Sequence, residues 1–188
     1  MMTGMQRIPQ PGVTWSDFIA LPDDDRRELI GGRLKELEMP TDLHEHIVVM
    51  LSHFLTLWRK AGGGGRVLAS GYKVRIRDDQ AFMPDVQYFK SGRVVPKQGL
   101  IEGGPDLAVE IISPSSVHYD QVEKLEGYAS IGTAEYWLID PEQRTLHRYL
   151  LNGRQLMLEE VLEGEVLFRP ATFSGLEVPL AELWNVPN

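Results

Sequence analysis

Leu43, Ile47, Met50, Leu51, Phe54, Leu55 and Trp58 recur three and four residues apart, which sets them on one broad stripe of a helix. Thr41 or Asp42 caps its start, and the helix reaches about Ala61 before Gly62 to Gly65 stop it. A shorter helix over 15–21 begins at Thr14 and ends at Pro22. Between the two, 27–30 and 33–37 flank Gly31-Gly32, a hairpin signal. Beyond Gly65 the pattern shortens to strands: 66–70 and 72–77 on either side of Gly71, a turn at Asp78-Asp79, and 86–89 after Pro84. A loop rich in Gly, Pro and Lys covers 91–105. The run 106–112 is apolar on both faces except at Glu110, the mark of a central strand. Ser115 or Ser116 caps a second helix that runs to about Ile131 and ends at Gly132. The apolar strand 135–140 follows and stops at Pro141. A helix between two apolar strands predicts a parallel pair joined by a right-handed crossover. Asn152-Gly153 joins 145–150 to 155–161 as a hairpin, and 180–184 closes the chain with a short helix. The expected fold is α/β in the α+β sense: a mixed central sheet flanked by helices, with extra β-hairpins, and no doubly wound dinucleotide fold.

With 188 residues the chain suits one domain, read as 14–188 behind a flexible tail over 1–13 that contains Pro9 and Pro11. Hydrophobic residues at 43% and charged residues at 24% argue against disorder. No apolar stretch approaches the length of a membrane span, and Met1 to Arg7 lack the apolar region of a signal peptide. The absence of cysteine excludes disulfides and thiolate metal sites. A cytoplasmic protein without a membrane partner is expected. The net charge of −8 opposes a nucleic-acid role. What matters is where the charges lie: Arg59, Lys60, Arg66, Lys73, Arg75 and Arg77 concentrate basic charge in one stretch, while acids collect at 23–25 and 159–165. That stretch reads as a phosphate-contacting face or a solvated one. The four glycines are a connector, since no Lys-Ser/Thr follows to make a phosphate-binding loop.

Glu110 carries the strongest chemical signal. A carboxylate in a buried strand is costly unless a cation, a metal or strong donors compensate it. Asp85, in Met83-Pro84-Asp85-Val86, stands at the mouth of another strand. Two acids at strand ends suggest a site for a divalent metal, and such a site suggests phosphodiester chemistry. Plainer roles are open to both: a turn cap for Asp85 and an ion pair with a buried Arg or Lys for Glu110. Ser113 and Ser115 have no adjacent base and read as caps. His44 and His46 fall on different faces of their helix, and His53 is two turns from His46, so no pair of them chelates one ion. His44, at the helix start, is the one near a cleft. Trp58, Trp137 and Trp184 fit apolar stripes and are expected in the core.

Several longer phrases extend this. They are Arg27-Glu28-Leu29-Ile30-Gly31-Gly32-Arg33-Leu34, the helix opening near His44, Met83-Pro84-Asp85-Val86, Val109-Glu110-Ile111-Ile112-Ser113-Pro114-Ser115-Ser116, and Lys124 with Tyr128 and the segment from Gly132 to Pro141. Together they resemble the Uma-type endonuclease family of the PD-(D/E)XK restriction-endonuclease-like superfamily, over roughly residues 14–141. The resemblance implies a metal-dependent endonuclease that hydrolyses phosphodiester bonds, with nucleic acid, DNA in the first place, as its partner. Asp85, Glu110 and Lys124 are then the catalytic residues. Asp85, Glu110 and the Ile111 carbonyl hold Mg²⁺ or Mn²⁺, and Glu28, His44, Ser113 and Tyr128 are accessory. One departure stands out: the superfamily's lysine two residues after the acid is Ile112 here. In the Uma-type family the lysine lies on the following helix, where Lys124 matches it. Taken by itself, Lys124 also suits a pair with Asp120 one turn earlier. Two other functions fit the same residues: a non-catalytic nucleic-acid-binding module on a degenerate nuclease fold, and an interaction protein using the β segment 144–168 with Leu146, Tyr149, Leu150, Leu156 and Leu158. A homodimer is compatible with each.

Overall fold

The computed structural model describes residues 12–22, 25–69, 71–93, 100–101, 103–112 and 119–186. Thr14 opens α1 (Trp15–Ile19) with a reciprocal box: its hydroxyl accepts from the Asp17 N–H while the Asp17 carboxylate accepts from the Thr14 N–H. Positive φ at Gly31 and Gly32 turns β1 (Arg27–Ile30) into β2 (Arg33–Glu36). The Thr41 hydroxyl caps α2 (Asp42–Trp58), which buries Ile47, Val48, Leu51 and Leu55 and ends in a wider turn, Arg59–Gly63. Then come β3 (Arg66–Ala69), β4 (Val74–Arg77), β5 (Gln80–Phe82), β6 (Val86–Phe89), β7 (Leu107–Ile111), α3 (Tyr119–Ser130), β8 (Glu135–Asp140), β9 (Thr145–Asn152) and β10 (Gln155–Glu163). Two short strands, β11 (Leu167–Phe168) and β12 (Val178–Pro179), pair with each other before α4 (Ala181–Trp184).

The larger sheet runs β10-β9-β8-β7-β6-β3 and is mixed: β7 and β8 are parallel, as the helix between them requires, and the other pairs are antiparallel. A smaller antiparallel sheet runs β2-β1-β5-β4. The strands on either side of Gly71 therefore part company, β3 joining the larger sheet and β4 the smaller one. The strand β5 is missing from the sequence reading because its three residues are all buried and show no alternation.

Alternation along β7 and β8 divides the core. Val109, Ile111, Trp137 and Ile139 face α2, and with Trp184 and Phe173 they form the larger cluster, against which Trp58 packs. Ala108, Tyr136 and Leu138 face the other way, into a cluster with Val74, Phe82 and Tyr128 of α3. Leu146, an interface residue under the interaction-protein alternative, is fully buried in the first cluster because β9 lies inside the sheet; Leu158, on the edge strand, is exposed. At the start of β8, buried Glu135 accepts from Trp137 Nε1 and Arg148 Nε, each at 2.7 Å, and from the Thr172 hydroxyl. Residues 1–11, most of the expected tail, lie outside the described residues, as does the cap expected at Ser115 or Ser116. Val13 is tied down, its N–H donating to the Gly32 carbonyl at 2.9 Å. Among the described residues no helix is long and apolar enough to cross a membrane.

Candidate active site

Met83-Pro84-Asp85 carries the chain from β5 in the smaller sheet to β6 in the larger. Val86 pairs with Val109, and the same antiparallel register extended one step sets Asp85 opposite Glu110. Asp85 Oδ2 accepts from the Ile111 N–H at 2.8 Å, which anchors the carboxylate to the end of β7. Its other oxygen lies 3.4 Å from His44 Nε2, brought in by the first turn of α2. Asp85 is thus more than a local turn cap.

Glu110 is 6% exposed and points toward α3. Its Oε1 accepts from the Tyr128 hydroxyl at 2.7 Å, and its Oε2 from the Lys124 ammonium at 3.0 Å. Lys124 and Tyr128 reach the same carboxylate because a four-residue spacing puts both on one face of the helix. Lys124 Nζ also lies 3.2 Å from Glu28 Oε1, which accepts in addition from the Met83 N–H at 2.9 Å. Glu28, a surface hairpin acid by its neighbours alone, is 2% exposed. With Ile at position 112, the lysine that reaches these acids comes from α3.

Glu28 and Glu110 share one ammonium, and Asp85, held by the Ile111 N–H and His44, adds a third carboxylate that acts on Glu110. Burial pushes Glu110 up to about 8; the charges of Asp85 and Glu28 add to the rise, while Lys124 and the Tyr128 hydroxyl oppose it. Burial alone would lower Lys124, but Glu110 and Glu28 outweigh it and hold the ammonium well above its ordinary value. His44 is raised too: its burial works against protonation, and Asp85 prevails through hydrogen bond and charge. Negative charge exceeds what the resident cations balance, and the excess draws either a proton or an added cation.

The donor chemistry fits a hard dication. The groups are carboxylates with a strand end beside them, and Mg²⁺ takes one or two carboxylates, keeping water for the remaining positions. Asp85 and Glu110 are the residues that would hold it. Ile111 contributes backbone alone, since its side chain is in the α2-side core and its N–H holds Asp85. Among the described residues no group of three or more His, Asp or Glu side chains is arranged to hold a metal.

Ser113 lies outside the described residues. His46 Nε2 is turned to the Glu182 carbonyl at 2.8 Å, and His53 is exposed. Within the basic stretch, Arg75 and Arg77 pair locally with Asp78 and Asp79 at 3.2 and 2.6 Å. The residue that sequence reasoning passed over is Tyr136. It pairs in register with Ala108, on the Glu110 face, and its ring centroid is 5.5 Å from that of Tyr128. Next to Trp137, Leu138 and Ile139 its hydroxyl gives no signal; only the alternation of β7 and β8 against α3 points to it.

The profile of the Uma2 family, described as "Putative restriction endonuclease", matches residues 15–181, nearly the whole chain. The chain belongs to the Uma2 family. The match takes in every acid and base of the cluster. A solved structure similar to this Uma2 chain is that of a "putative nuclease belonging to DUF820" from Anabaena variabilis, with a TM-score of 0.76 and 23% identity, covering 92% of this chain and 97% of the other. At that identity the likeness fixes the fold: a mixed sheet flanked by helices. No curated protein matches the chain.

Proposed function

We propose that this Uma2 chain is a metal-dependent endonuclease that hydrolyses phosphodiester bonds in DNA. The observation that carries the reading is the meeting of Asp85, Glu110, Glu28 and Lys124 at one junction of the two sheets. A bound Mg²⁺ or Mn²⁺ supplies charge neutralisation at the scissile phosphate and a water of lowered pKa. Asp85, anchored by the Ile111 N–H, and Glu110, fixed by Tyr128, present their oxygens in set directions. Lys124 stabilises negative charge as it develops on the phosphate. Glu28 keeps that ammonium beside Glu110, and His44 steadies the outer oxygen of Asp85.

Asp85→Ala and Glu110→Ala are expected to lower Mg²⁺-dependent nicking of supercoiled plasmid by roughly a hundredfold or more, with circular dichroism unchanged. Cleavage at the wild-type rate in both variants sinks the assignment. A second reading, nucleic-acid binding without cleavage, draws on the lack of a three-ligand metal group among the described residues. Calorimetry with Mn²⁺ separates the two: the enzyme takes up the ion with measurable heat, and the binding module retains DNA while showing none.

A further inference from the structure

We propose that the Tyr136 hydroxyl is the acceptor that holds the Lys124 ammonium once Glu110 Oε2 is engaged by a divalent cation, which makes Tyr136 a positioning residue of the site. The inference rests on the nuclease reading above. Tyr136 is fully buried, and its hydroxyl has no hydrogen-bond partner among the described residues. A phenylalanine would fill the same space without the penalty of an unsatisfied hydroxyl, so the oxygen calls for a partner in another state of the site.

Its place in the fold says which partner. Tyr136 pairs with Ala108 and so shares a face with Glu110, two residues along β7. Its ring abuts Tyr128, whose own hydroxyl is committed to Glu110 Oε1. Among the groups whose charges act on Tyr136 are Glu110, Lys124 and Asp85, and Lys124 is the one cation. Lys124 occupies Glu110 Oε2 at 3.0 Å and retains Glu28 at 3.2 Å. An ammonium and a dication cannot both sit against one carboxylate oxygen without strong repulsion. With a cation held by Asp85 and Glu110, the ammonium would lose Oε2, keep Glu28 and call for a replacement acceptor on the same face. Its flexible stem allows that movement, and a neutral hydroxyl can accept it without adding to the negative charge.

The experiment uses the full chain with Tyr136→Phe beside wild type. Without metal, the thermal midpoint of the variant is expected to equal or exceed that of wild type, because an unsatisfied hydroxyl is removed. With Mn²⁺, calorimetry should show affinity weakened about fivefold, and plasmid nicking should show kcat lowered about tenfold with KM unchanged, the scale of one charge-assisted hydrogen bond. The ¹⁵N resonance of the Lys124 ammonium, recorded with diamagnetic Mg²⁺ in place of Mn²⁺ and sharp in the loaded wild type, should broaden in the variant. Wild-type kcat and Mn²⁺ affinity in Tyr136→Phe overturn the proposal. So does a metal-free midpoint several degrees lower, since the hydroxyl would then have had a partner all along. Wild-type protein that takes up no Mn²⁺ removes the nuclease reading and this proposal together, whereas an indifferent Tyr136→Phe beside a metal-binding wild type removes this proposal alone.

Discussion

Glu110 titrates under the joint influence of burial and two neighbouring carboxylates, and that fixes how the metal-free protein responds to pH. Its folded pKa of about 8 lies above its ordinary 4.5. The stability it contributes is complete below the lower value and is lost as pH rises through the upper one. His44, raised from 6.5, acts in the same direction. The urea midpoint of metal-free protein is therefore expected to fall between pH 6 and pH 9, and saturating Mg²⁺ to flatten the fall, because the ion replaces the proton. A midpoint that climbs over this interval would show that Glu110 is ionised throughout. At this scale the sequence told of Asp85 and Glu110 because each is out of place among apolar neighbours. Glu28 entered through the family resemblance alone: Glu28 and Leu29 are adjacent and both buried, so β1 lacks the alternation that marks an inward residue.

The helix α3 is the element on which the proposed chemistry depends, since it delivers both Lys124 and Tyr128 to Glu110. Gly127 lets it approach. A Cβ there would lie 2.5 Å from Phe82 Cε2 and 3.0 Å from Cζ, and Phe82 is fully buried with no room to yield. Gly127→Ala is expected to destabilise by about 1–3 kcal/mol from overpacking, more than the ~1 kcal/mol that alanine brings as a better helix former. Shifting Lys124 by a fraction of an ångström should also cost roughly a hundredfold in cleavage. Urea denaturation and a nicking assay on the same preparation check both effects, and a variant more stable than wild type would contradict the contact. The helices α1 and α2 were readable from period and from caps at Thr14 and Thr41, and the β9–β10 hairpin from Asn152-Gly153. The assignment of β3 and β4 to different sheets was not, because pairing across such distances depends on β5 and β6 and leaves no local trace.

Across the whole molecule, β8 has a second buried polar group, at the end that begins with Glu135, which shares no hydrogen bond with the candidate site. Glu135 is held there by Trp137, Arg148 and Thr172, and Arg148 continues to Glu160 at 2.9 Å. Arg148→Ala strips a buried carboxylate of its cation and is expected to cost about 3–5 kcal/mol, while the folded fraction retains wild-type kcat at temperatures below its midpoint. Loss of kcat in step with stability would tie the two ends together. This network joins residues from β8, β9, β10 and the segment after β11, so no window of sequence displays it. The net charge of −8 spoke against a nucleic-acid role, yet it left the lysine of the site untouched, since Lys124 answers to the two acids beside it.

Lys124 clasps Glu28 from the smaller sheet and Glu110 from the larger one, and the link Met83-Pro84-Asp85 runs between them. A newly made chain with one sheet formed and the other still loose lacks part of the constellation, however well the rest is arranged. In the proposed nuclease, then, the site is complete only in chains whose two sheets have docked, and a half-assembled copy carries acids without their lysine or the lysine without its acids.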